Sequence, residues 1–511
     1  MRITKRFGFL AVGLVFTVLI CSGRLSGHRP QSEVSAGLIA PGTRWETPWY
    51  VTDSREDGPT VLVTGGVHGN EPAGVRAARQ IRHWPIQRGK FIVIPCCNVP
   101  ALEADKRLMP GQPDDRDDLN RNFPTRGKSQ TARGPLATAL WVFIGERQPD
   151  YVLDLHEGYG FRSEGSKSTG SSIIRTRRKG NKELHNLMFD AVNQTEPEHE
   201  FAKLHGAAKG SLVRACSERF GAQAFICETT YKHQPLALRT RQHRIMVHAM
   251  LQHLDMAAGS LNRMVPASNR DAETVRAALY DGPGTSTDKA VARIERILAG
   301  EKGIVPRRVA PADIREGALK QFDVVIFGGG SGHGQAGGLQ ESGRRAVRRF
   351  VRNGGGYVGV CAGAYLATAN YSWSLGLLGA DSIDRKHWRR GKGQVEIELT
   401  PRGRELFQRE GSGMLRILFQ NGPILAPADS DDLPPYKVLS WYRTGIGERG
   451  ADPETMVDTP AIVKSPYGKG RIIAFSPHPD KTEGLHDMLI RAVREVGTFK
   501  EMSGLEPAKR A

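Results

Sequence analysis

The sequence predicts two doubly wound, mainly parallel α/β domains in tandem behind a hydrophobic leader. Three observations carry that fold class. Short apolar runs (VLVTGG from Val61, FIVIP from Phe91, YVLDL from Tyr151, VVIFGG from Val324, YVGV from Tyr357) alternate with helix-patterned stretches. Such runs are typical of strands covered on both faces. The alternation stops over residues 256–271, a linker-like stretch, and then restarts. The third observation is length, since 511 residues exceed what one core ordinarily holds.

The leader comes first. A basic start, MRITKR, is followed by residues 8–21, GFLAVGLVFTVLIC, which are apolar and uncharged. That length suits a secretory signal better than the roughly 20 residues of a spanning helix. Residues 1–27 are therefore expected to be a signal peptide or an uncleaved N-terminal anchor. Export to the periplasm or the extracellular space follows, with membrane contact only through this segment. Residues 28–57, broken by Gly and Pro, read as a loose spacer that enters the first domain by an edge strand near Trp49.

Composition narrows the partners. Hydrophobic residues at 39% and charged residues at 25% describe a globular chain rather than a disordered one. There are 72 Lys plus Arg against 54 Asp plus Glu, a net charge of +18. The basic runs (RTRRK, GRRAVRRF, RKHWRRGK) are scattered and form no aromatic-interleaved patch, so no nucleic-acid partner is expected. Six cysteines are too few and too unevenly spaced for a disulfide framework. Cys96 and Cys97 read as core thiols, and a Cys216–Cys227 pair is left open. The sequence does not set the oligomeric state.

The first domain is placed at 58–255. VLVTGG leads into a helix over 73–84 and then the strand FIVIPCCN. An irregular segment over 99–138 and a helix over 136–147 come next, before the strand YVLDLHEG. In open sheets of this kind, ligands gather at the carboxyl ends of the strands. His68, Glu71, His156 and Glu228 all fall there. His68 and Glu71 stand three residues apart, so one helical turn can aim both at a single point. Imidazole and carboxylate are zinc ligands, and a catalytic zinc takes three protein ligands. A single histidine after a strand is ordinarily a structural hydrogen-bonder. Four such residues, each leaving an apolar strand, point to a site.

HGNE, DLNRNFP (118–124), DLHEG and the strand-borne Glu228 together resemble the zinc carboxypeptidase superfamily over about 200 residues. The compact GGVHGNEPAG is similar to its succinylglutamate desuccinylase and aspartoacylase branch. The resemblance implies that His68, Glu71 and His156 hold Zn2+ and that Glu228 is the general base for the attacking water. It implies that Asn120 and Arg121 bind the free carboxylate of the substrate. An upstream arginine would stabilise the oxyanion; Arg107 and Arg116 both qualify, with spacing favouring Arg107. Tyr231 is the candidate for the tyrosine of the peptidase branch. The chemistry is sound on its own terms. Zinc brings the pKa of bound water toward ~7, a carboxylate relays the proton, and a guanidinium beside an amide suits a carboxylate. The substrate stays open between a small peptide, cell-wall peptides included, and an N-acyl amino acid.

The second domain is placed at 272–500. AALYDGPGTS, DKAVARIERILAG, QFDVVIFGGG, ESGRRAVRRFVRNGGG and YVGVCAGAYLAT alternate strand and helix. A GxGxxG match at Gly332, Gly334 and Gly337 lacks the acidic residue about 20 positions on that a dinucleotide site needs. The loop containing Gly329 and Gly330 instead suits an oxyanion hole. GVCAG, 359–363, is the cysteine form of the nucleophile elbow, with Cys361 at a helix N-terminus that favours thiolate. IIAFSPHPD supplies His478 as base and Asp480 to orient it.

YDGPGTS, FGGG, GVCAGAYLA and SPHPD resemble the class I glutamine amidotransferase-like fold, and closely its biotin-protein ligase N-terminal-like group. The usual glutamate two residues after the histidine is Asp480 here, one methylene shorter, with Glu483 as a fallback; activity of this domain is left open. No ligase catalytic sequence accompanies it, so biotinylation is not expected. Residues 501–511 read as a frayed tail. The whole reads as an exported zinc amide hydrolase joined to a cysteine-hydrolase-like domain. The opposing readings are a binding protein with degenerate sites, or a cysteine amidase whose second domain carries the main activity.

Overall fold

The computed structural model describes residues 16–17, 32–127, 130–162, 166–178, 180–195, 199–264, 274–286, 288–411, 413–429 and 432–497. Apart from a two-residue strand at Phe16–Thr17, the leader lies outside the described residues, as do the end of the linker and the tail. The chain separates into two compact units near residue 266, with residues 235–238 grouped with the second. Among the described residues no helix is long and apolar enough to cross a membrane.

The first unit is built on nine strands: β1 (Phe16–Thr17), β2 (Glu33–Ile39), β3 (Thr47–Asp53), β4 (Thr60–Gly65), β5 (Lys90–Ile94), β6 (Tyr151–Gly158), β7 (Ser172–Arg175), β8 (Ala202–His205) and β9 (Gln223–Thr230). Their spatial order is β1-β2-β3-β5-β4-β6-β9-β7-β8. The four central strands β5-β4-β6-β9 are parallel. β3 joins β5, and β7 joins β9, antiparallel. The α/β class therefore holds, but the sheet is mixed rather than mainly parallel. The apolar runs have the expected cause. Val61, Val63 and Leu155 pack into one core cluster, whereas Leu62, Ile92 and Val152 pack into another on the opposite face. Alternate residues of a strand point to opposite faces, so a strand covered on both sides needs apolar residues throughout.

Residues 32–57 depart from the loose spacer expected. The strand expected near Trp49 is β3, but it lies inside the sheet rather than at its edge, because β2 pairs with it in register from Glu33–Asp53 to Ile39–Thr47. Gly37 makes this pairing fit, because a Cβ there would lie 2.7 Å from the Trp49 ring. Residues 256–264, expected as linker, pack on the first unit instead. Met256 is buried, its carbonyl accepts the Gln87 N–H at 2.9 Å, and Ala257 bridges to Ile86.

The second unit also has a nine-stranded sheet. Its strands are β10 (Val275–Tyr280), β11 (Ile304–Val309), β12 (Val324–Phe327), β13 (Gly356–Val360), β14 (Ala380–Ile383), β15 (Lys392–Leu399), β16 (Leu415–Gln420), β17 (Ile424–Pro427), β18 (Lys437–Tyr442), β19 (Pro460–Tyr467) and β20 (Gly470–Phe475). The main order is β11-β10-β12-β13-β20-β19-β18-β15-β16, with β14 and β17 paired apart. The first five are parallel and the last four antiparallel. The parallel half is the part expected from sequence. The antiparallel half corrects it, and its outer strands β15 and β16 bury alternate positions only, as in Val395, Ile397 and Leu399 of β15. Cys96, Cys97, Cys216, Cys227 and Cys361 are buried and free, so Cys216 and Cys227 do not pair.

Candidate metal centre and thiol site

The first site forms where β4 and β6 end and a helix begins. After β4 the chain turns through His68 to the helix Pro72–Ile81, with Pro72 at the first helical position, where its missing N–H costs nothing. The helix lies close on β6: a Cβ at Gly74 would come within 2.4 Å of the Leu155 carbonyl oxygen. That approach sets Glu71 against His156.

His68, Glu71 and His156 are all buried, and one ligand atom from each lies within 4.8 Å of the others. Glu71 Oε1 is 2.8 Å from His68 Nδ1, and its Oε2 is 2.8 Å from His156 Nδ1. The two Nδ1 atoms are 3.2 Å apart. The far side of each ring meets a carboxylate. His156 Nε2 donates to Asp154 Oδ2 at 2.7 Å, and Asp154 in turn accepts Thr64 Oγ1–H at 2.7 Å. His68 Nε2 donates to Asp118 Oδ1 at 3.2 Å.

Each Nε2 faces an outer carboxylate and each Nδ1 faces Glu71, so a ring whose hydrogen sits on Nε2 turns its Nδ1 lone pair inward. Two imidazole nitrogens and a carboxylate thus converge on one point. This donor set fits a divalent metal such as zinc, with outer carboxylates that fix the rings. The same crowding shows in the acid–base balance. Burial opposes charge on His156, but Asp154 and Glu71 outweigh it and raise its pKa well above the ordinary value. Burial likewise opposes charge on Glu71, and the two histidines overcome it and hold the carboxyl ionised.

Glu228 lies in register with His156 on the adjacent parallel strand. Burial, reinforced by the Glu71 charge, raises its pKa to about 7 against the opposing pull of His156 and His68. Arg107 Nη1 donates to Glu71 Oε1 at 2.7 Å, with the side chain half-exposed. Arg116 pairs with Asp115 at 3.4 Å. Asn120 is buried; its Oδ1 accepts the Leu212 N–H at 3.1 Å, and its Nδ2 lies 3.4 Å from the His156 ring. Arg121, half-exposed, donates to the Asn120 carbonyl at 2.8 Å. Tyr231 is exposed and stacks on Tyr159 at 6.4 Å.

Sequence reading missed Asp154, Asp118, Glu157 and Arg239. Asp154 carried a signal, since residues two apart on a strand share a face. Glu157 is buried between the Ala73 N–H, accepted at 2.6 Å, and the guanidinium of Arg239. Nothing local to Arg239 signals that contact.

The second site lies where β13 meets the helix Ala362–Ala367. Cys361 occupies this elbow at φ 53°, ψ −98°, a strained setting for a residue with a side chain. Gly363 is needed there, because a Cβ would sit 2.1 Å from the Phe327 carbonyl oxygen. The Cys361 thiol donates to the Gln420 carbonyl at 3.4 Å. His478 Nδ1 meets Asp480 Oδ1 at 3.1 Å, and the other Asp480 oxygen lies 3.5 Å from Arg293 Nη1. Glu483 is exposed, so Asp480 orients the ring.

His478 Nε2 is buried without a hydrogen-bond partner, and His478 and Cys361 line one cavity of about 490 Å³. Burial opposes the charge on His478, yet Cys361 and Asp480 raise its pKa to about 9. Gly330 also lines the cavity. Gly329 does not; it packs on the ring, where a Cβ would be 2.8 Å from His478 Cε1.

The first unit thus falls in the class of α/β domains that carry a His–Glu–His cluster at their strand ends. Residues 57–256 match the succinylglutamate desuccinylase/aspartoacylase catalytic domain, and residues 276–385 match the N-terminal domain of biotin-protein ligase. Both family resemblances hold. The chain is 35% identical over 108 residues to the N-alpha-acetyl-L-2,4-diaminobutyric acid deacetylase of Halomonas elongata, a match covering 20% of this chain and 30% of that protein. It is 35% identical over 114 residues to the N-acyl-aromatic-L-amino acid amidohydrolase (carboxylate-forming) of Homo sapiens, covering 20% and 34%.

The chain therefore spans about a third of the length of these curated relatives. Among solved structures, product-bound cell shape determinant protein Csd4 from Helicobacter pylori aligns at 21% identity and TM-score 0.36, over 45% of this chain and 58% of that one. An aspartoacylase family protein from Mesorhizobium loti aligns at 22% and 0.33, over 45% and 69%.

Proposed function

We propose that the first unit is a zinc-dependent hydrolase that cleaves an amide beside a free carboxylate. One observation carries this reading: the Nδ1 atoms of both histidines and the Glu71 carboxylate converge on one buried point while an outer carboxylate holds each Nε2. Zinc held by His68, Glu71 and His156 would polarise the scissile carbonyl and acidify the attacking water. Glu228, in register with His156 on the adjacent strand, is placed to take the proton from the attacking water and return it to the leaving amine. Arg107 offers its charge to the developing oxyanion, and Asn120 and Arg121 take the substrate carboxylate. The names of the two curated relatives, a deacetylase and an amidohydrolase of N-acylated amino acids, favour an N-acyl amino acid over a peptide C-terminus.

The second unit is read as a thiol hydrolase site, with Cys361 as nucleophile, His478 as base, Asp480 as its orienter and Gly330 at the oxyanion. The unpartnered His478 Nε2 beside Cys361 favours it. Action outside the cytoplasm rests on the leader sequence alone; cell fractionation tests it, and a cytosolic protein would overturn it. The central experiment is metal analysis of the purified full chain, followed by a screen of N-acyl amino acids and small peptides with Glu228→Gln alongside. Zinc near one per chain and loss of turnover in the variant are expected. A chain that takes up no zinc, or a Glu228→Gln variant with full turnover, would refute the reading.

A further inference from the structure

The cavity beside Cys361 has a composition that selects its ligand. One wall is aromatic: Tyr371 and Trp373 stack at 4.5 Å, Tyr365 meets Tyr371 edge-on at 6.1 Å, and Trp388 also lines the space. The Arg385 guanidinium lies 4.4 Å over the Tyr371 ring. Among the described residues no aspartate or glutamate lines this cavity. Its lysine, Lys481, is engaged by Gln420 Oε1 at 2.9 Å, whereas Arg385 has no carboxylate partner among the described residues. An aromatic surface favours a flat, apolar body. A guanidinium stacked on a ring keeps its edge free for a carboxylate. A cavity of about 490 Å³ suits a small organic molecule. An α-ammonium group would find cations and no counter-charge, which disfavours free amino acids.

We propose that the second unit binds and cleaves an amide whose flat, apolar body carries a carboxylate, with Arg385 holding the carboxylate and Tyr371, Trp373 and Trp388 holding the body. This rests on the reading of Cys361 as a nucleophile. The sulfur attacks the carbonyl carbon, the C–N bond breaks, and the leaving nitrogen takes its proton from His478. Water then cleaves the acyl–sulfur ester: its oxygen adds to the acyl carbon, one proton passes through His478 to the sulfur, and a carboxylic acid leaves. Amide plus water thus gives acid plus amine, with the thiol restored.

N-benzoylglycine is a suitable probe, with N-benzoylglycinamide as its uncharged counterpart and glutamine as a free amino acid. The full chain carries Glu228→Gln throughout, which silences the first unit. Binding is measured by calorimetry in the further Cys361→Ser background. N-benzoylglycine is expected to bind and Arg385→Gln to weaken it roughly tenfold, while leaving the glycinamide unchanged. Trp373→Leu should weaken both. Glycine release from N-benzoylglycine should require Cys361, and the probe should protect Cys361 from iodoacetamide.

The two ideas fail separately. Arg385-dependent binding with no Cys361-dependent release sinks the nucleophile and upholds the ligand class. Binding that ignores Arg385, a preference for glutamine, or no binding of N-benzoylglycine at millimolar concentration overturns the ligand class.

Discussion

Glu157 caps the helix that Glu71 opens. Glu71 stands at the N-cap of Pro72–Ile81 yet makes no cap hydrogen bond, because its oxygens face His68, His156 and Arg107. Glu157 reaches across from β6 and accepts the Ala73 N–H at 2.6 Å, while Arg239 balances its charge. A helix N-terminus stabilises negative charge, so it supports both carboxylates at once. One glutamate is free to face the two histidines because another does its ordinary work.

That relationship predicts a stability effect. Removing one member of a buried ion pair strands the other, so Glu157→Ala should cost the first unit about 3–5 kcal/mol. Pairing Glu157→Gln with Arg239→Met should recover much of the loss. Urea unfolding of wild type and the two variants checks this. A Glu157→Ala cost no larger than that of an ordinary surface substitution would mean that the cap is dispensable.

The ring-holding carboxylates predict metal affinities. Outer-shell partners of a ligating histidine are worth about 10–100-fold in metal affinity. Asp154→Asn should weaken zinc by that factor, measured by competition with a chelator. Asp118→Asn should matter less, because Asp118 is more exposed and its contact is longer, at 3.2 Å. Chelation of the wild type should lower the thermal midpoint of the first unit, since ligand binding stabilises only the folded form. Equal zinc affinity in wild type and Asp154→Asn would contradict the assignment.

Much of this was legible in the sequence, for a physical reason. Strands covered on both faces must be apolar throughout, and VLVTGG, YVLDL and VVIF advertise that without knowledge of their neighbours. His68, Glu71, His156 and Cys361 sit in short contiguous motifs at the strand ends. The antiparallel halves were not legible, because strands such as β15 bury only alternate residues and read as polar. Residues 28–57 looked like a spacer because Gly37 and Pro48 suggest loop; only the Trp49 ring lying over Gly37 shows why a strand needs that glycine. Arg239 was beyond reach, since it meets Glu157 across 82 residues and stands among other arginines in LRTRQHR.

Arg107 carries a kinetic prediction. A donor to a developing oxyanion is worth about 10²–10³ in turnover. Arg107→Met should therefore lower kcat by that factor with KM nearly unchanged, whereas Arg116→Met should alter neither. A variant that changes KM alone would assign Arg107 to substrate binding instead.

The last prediction concerns pH. His478 holds its proton to about 9 in the folded chain because Cys361 and Asp480 outweigh the burial that opposes it, whereas an unfolded histidine releases its proton near 6.5. A raised folded pKa gives stability that is complete below the unfolded value and lost as pH climbs through about 9. The interval corresponds to about 3 kcal/mol. Wild type should therefore exceed His478→Gln in stability most below pH ~6.5 and lose that margin above pH ~9. Urea unfolding of the two proteins at a series of pH values reads this margin directly. Parallel stability–pH profiles in the two proteins would show that His478 does not hold its proton beyond the ordinary range, and its pairing with Asp480 would lose its charge.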